Sequence, residues 1–127
     1  MFAQNLSVVK GLVSVAWADG RVGTEEHKLI DALLEAFHAL PSEALEIRKF
    51  AATPRSLADV PVSELGPAAR RQLLQHAVLL TYVDGEQHEK EKQLLDQLVQ
   101  LLELPPGEAR ELVREADERA RSLVKLL

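Results

Sequence analysis

The residues of this chain best suited to chemistry are four carboxylates at matched spacings. Asp19 precedes Gly20 and stands seven residues ahead of Glu26; Asp84 precedes Gly85 and stands seven residues ahead of Glu91. Asp-Gly followed by five residues and Glu is the second half of an EF-hand loop, in which the glycine makes the turn and the glutamate binds with both oxygens. Val22 fits the apolar position after the turn. The first half of such a loop is missing. Its first two ligand positions hold Val15 and Trp17 in one copy and Leu80 and Tyr82 in the other, none of which binds a hard cation. Each copy alone offers two carboxylates, too few for Ca²⁺. Brought together, Asp19, Glu26, Asp84 and Glu91 would make one shared oxygen site, whose like charges repel unless a cation neutralises them. Oxygen ligands favour Ca²⁺ or Mg²⁺, while Zn²⁺ or Mn²⁺ would recruit His27 or His88 beside the acidic turns. The two histidines are not equivalent, because Lys92 stands where a match to His27 would fall, and an ordinary surface position suits both. The competing reading needs no ion. Each aspartate ends a helix at the negative pole of its dipole and can swing over to accept free N–H groups of the next helix, as an Asx-type cap. The residues leave both readings open.

These acids need helices to carry them. Leu6 to Ala18 has the three-and-four apolar spacing of a helix, with Val8, Val9, Leu12, Val13, Val15 and Ala16 inward. Gly11 is a mild weakness in it, and Gly20 the residue just past its end. Thr24 reads as the cap of a second helix with Leu29, Ile30, Leu33, Leu34 and Phe37 on one stripe, ending near Leu40 ahead of Pro41. Ser42 reads as the cap of a third, from Glu43 to about Ala52. Residues 53–67, punctuated by Pro54, Pro61, Gly66 and Pro67, form a packed connector with one or two short turns. Further helices are expected from Pro67 to Val83, from about Gln87 to Leu102 and from about Glu108 to Lys125, and no strand. His38 and His76 read as helix residues, satisfied or exposed, and Trp17 and Tyr82 as packing for helix ends.

The spacing of 65 between Asp19 and Asp84 extends well beyond them. At that offset the apolar stripes keep phase, Trp17 falls on Tyr82, Glu26 on Glu91, Asp31 on Asp96 and Pro41 on Pro106. Amphipathicity alone aligns leucines, not Asp-Gly, a later Glu and a proline. The expectation is therefore one all-α domain over 1–127 of six to seven helices. It holds two helix–Asp-Gly–helix–Pro–helix units, about 6–52 and 71–117, facing each other across a pseudo-twofold.

Composition narrows the function classes. A chain of 127 residues buries a sufficient core without staples. With no cysteine there is no disulfide, thiolate metal site or cysteine nucleophile. A net charge of −5 suits neither nucleic acid nor a basic tail. Met1 is not followed by a basic region and an apolar run, no stretch reaches the roughly 20 apolar residues of a bilayer span, and a cytoplasmic protein is expected. The final helix balances Arg110, Arg114, Arg119 and Arg121 against acids of its own. No phosphate-binding glycine loop, nucleophile elbow or HExxH is present, so an enzyme is not expected. Phe2, Leu126-Leu127 and the connector at Val60 and Val62 offer apolar residues for a partner to cover.

At Asp19-Gly20-x-Val22-x3-Glu26, flanked by Val15-Ala16-Trp17-Ala18 and Leu29-Ile30-Asp31-Ala32-Leu33, the chain resembles the tellurite-resistance TerB family. It is also similar to the TerB-like domain on the cytosolic side of membrane-anchored DnaJ-type co-chaperones. Val83-Asp84-Gly85 through Glu91 stands where that family carries its second Asp-Gly, although Gln87 replaces an aliphatic residue. The resemblance covers nearly the whole chain. It implies an all-helical fold of two related halves and an acidic centre able to hold a divalent cation at Asp19, Glu26, Asp84 and Glu91. It also implies a stress-associated, non-enzymatic role through protein partners, including membrane-linked complexes. The alternative is a metal-free scaffold whose Asp-Gly turns are only caps.

Overall fold

Val8, Val9, Leu12, Val13, Val15 and Ala16 are all at most 1% exposed, and Ser7, Gly11 and Ser14 between them are buried too. A helix closed off on so many sides belongs at the centre of a fold. The computed structural model describes residues 3–18, 26–80 and 89–125. Among the described residues there are only helices: α1 (Ala3–Ala18), α2 (Glu26–Ala36), α3 (Pro41–Ala51), α4 (Pro67–Leu80), α5 (Glu89–Leu102) and α6 (Pro106–Lys125). Two single-turn 3-10 helices, Leu57–Asp59 and Val62–Glu64, lie in the connector. The chain is all-α over these residues.

The central contact is between α1 and α4; α2 and α3 pack on α1, and α5 and α6 on α4. A Cβ at Gly11 would lie 2.8 Å from Leu73 Cδ2, so the glycine read from sequence as a weakness leaves the space that the Leu73 side chain of α4 fills. Ser14 satisfies its buried hydroxyl by donating to Lys10 O at 3.0 Å. Trp17 does pack a helix end, donating Nε1–H to Ala51 O at 3.0 Å. Leu73, Leu74, Ala77, Val78, Leu98 and Leu102 extend the core through the second half, all fully buried.

Several expectations need correction. The helices placed at Glu43 and Glu108 begin two residues earlier, at Pro41 and Pro106, since a first-turn proline gives up no hydrogen bond. Ser42 is accordingly not a cap. Instead the Glu43 carboxylate accepts the Leu40 N–H at 2.8 Å, and this bond holds its pKa below the usual value. The second helix stops at Ala36 and does not reach Leu40, and His38 lies in the turn beyond it, exposed, with φ 53°. Val60 is a core residue at 5% exposure and Val62 packs half-buried against it, so the connector is no free docking patch.

Several local features recur at the spacing of 65. His38 (φ 53°) and Glu103 (φ 55°) are the only non-glycine residues with left-handed backbone among those described. The His38 N–H donates to Glu35 O at 3.1 Å and the Glu103 N–H to Gln100 O at 3.2 Å. The first bonds of the following helices match as well, Ala44 N–H to Leu40 O at 2.8 Å and Ala109 N–H to Pro105 O at 2.9 Å.

Candidate functional site

Asp19, Asp84 and His88 lie outside the described residues, as do the side chains of Glu26, His27 and Glu91. The chain enters that stretch from the end of α1 at Ala18 and leaves it at the start of α2, where Glu26 opens the helix; Glu91 falls in the first turn of α5. Phe2, Tyr82 and Leu126-Leu127 also lie outside the described residues. Among the described residues no three His, Asp or Glu side chains converge as a metal site would require.

What the described residues do form is a groove. Because α5 and α6 both rest on α4 and pack little on each other, a cleft of about 550 Å³ opens between them. Its floor is apolar: Val99, Leu104, Ala109 and Val113, with Pro106 at one end. Asp96, Gln100, Glu103 and Arg110 form its rim. A second segment of about 480 Å³ continues it along the same two helices, sharing Asp96, Arg110 and Val113 and adding Lys92, Arg114, Asp117 and Arg121.

The charges of this rim divide into two kinds. Arg114 donates to Glu118 at 2.8 Å and to Glu111, which holds the Glu111 carboxyl below its usual pKa and keeps the guanidinium above its own. Arg121 pairs with Asp117 at 3.1 Å. Such pairs within one helix at the surface are worth little to stability. Lys92, Asp96, Glu103 and Arg110 are different: all four are exposed, and among the described residues none has an ion-pair partner.

The first half supplies a comparison. Asp31, at the position of Asp96, is bridged by Arg48 across α2 and α3. At the offset of 65 residues Arg48 falls on Val113, which cannot make such a bridge. Sequence reasoning weighed Arg110 only within a balanced helix and missed the groove.

The architecture is that of a small all-α domain built around a central helix pair. A family model described as a protein of unknown function, DUF533, matches residues 3–116, and the chain belongs to that family. Neither the curated proteins nor the solved structures contain a match to it.

Proposed function

We propose that this chain is a TerB-like, non-enzymatic protein-interaction domain whose two Asp-Gly loops share a divalent cation. The observation that carries the reading is that Asp-Gly-x5-Glu occurs twice at a spacing of 65, the spacing at which the turns after α2 and α5 also repeat their backbone and hydrogen bonds. Such agreement supports a duplicated unit, and duplication of an acidic loop in a cysteine-free chain supports an oxygen-ligand site. Asp19, Glu26, Asp84 and Glu91 would hold the ion, with His27 or His88 joining only for Zn²⁺ or Mn²⁺. The stress association, the cytoplasmic setting and partners in membrane-linked complexes follow from the TerB resemblance. Among the described residues, no helix is long and apolar enough to cross a membrane.

The test is a thermal melt of chelated protein titrated with Ca²⁺, Mg²⁺, Mn²⁺ and Zn²⁺. An ion that binds only the folded state, at a hundred times its dissociation constant, adds about 2.7 kcal/mol, on the order of 10 °C in Tm for this size. Asp19→Asn should abolish that shift and leave the chelated protein unharmed, because one repelling charge is gone. A flat melt with all four ions, together with a silent Asp19→Asn, would leave the metal-free scaffold whose aspartates only cap helices.

A further inference from the structure

We draw no further inference here: the strongest candidate, the groove between α5 and α6, whose exposed rim mixes Lys92 and Arg110 with Asp96 and Glu103 over a floor already buried or half-buried, carries nothing because nothing in the structure shows what covers it.

Discussion

Gly11→Ala tests how tightly the two halves meet. The added Cβ would lie 2.8 Å from Leu73 Cδ2 and 3.1 Å from Cδ1, both inside van der Waals contact. Leu73 is completely buried, so its methyl groups must move within a close-packed core. Two effects oppose one another. Alanine is favoured over glycine in a helix interior by about 1 kcal/mol. Overpacking a core costs ~1–3 kcal/mol. The steric term wins, and Gly11→Ala should destabilise by about 1 kcal/mol, or roughly 4 °C in Tm. Leu73→Val alone removes a methylene and should also cost about 1 kcal/mol. Combined, the shorter valine makes room for the new methyl, so the double variant should be more stable than additivity predicts by about 1 kcal/mol. Urea denaturation followed by far-UV circular dichroism gives all four corners of the cycle. A stabilised Gly11→Ala, or strict additivity with Leu73→Val, would show that the Leu73 side chain does not need the space this glycine leaves.

Arg70 is half-buried and donates to three carbonyls, Leu65 O and Leu102 O at 2.9 Å and Val62 O at 3.1 Å, joining the connector and the end of α5 to α4. Arg70→Lys keeps the charge but not the fork and should cost about 2 kcal/mol in urea denaturation, with faster hydrogen exchange at the end of α5. Glu43 has a folded-state pKa held below its usual 4.5 by the Leu40 N–H. Its stabilising effect is therefore complete above that value and disappears as pH falls through the lowered one. The Tm gap between wild type and Glu43→Gln should be constant near neutrality and close in acid; a gap that widens in acid would contradict the bond.

The apolar spacing located α1 and α2, because burying one face of a helix leaves a period of 3.6 that local sequence must carry, while α3 was read from Ser42 as a cap. It also placed Val8, Val9, Leu12, Val13, Val15, Ala16, Ile30, Leu34 and Phe37 in the core, where the structure has them. Helix starts at Pro41 and Pro106 were missed by two residues each, and for one reason: proline ends a pattern and begins one equally well, and only the backbone chooses. The left-handed residues His38 and Glu103 carry no glycine to mark them. Asp-Gly and its later Glu were legible as a repeated pair at a spacing of 65, which is a statement about order along the chain. Periodicity says which side of a helix is covered. How closely the covering helix comes, and whether its own neighbour leaves a gap, depend on contacts between distant residues. Gly11 against Leu73 is one such contact, and Val113, which lines the gap between α5 and α6, marks such a gap. Only the tertiary structure could turn the first from a weak helix position into a close approach, and the second from a conservative-looking apolar residue into the floor of a groove.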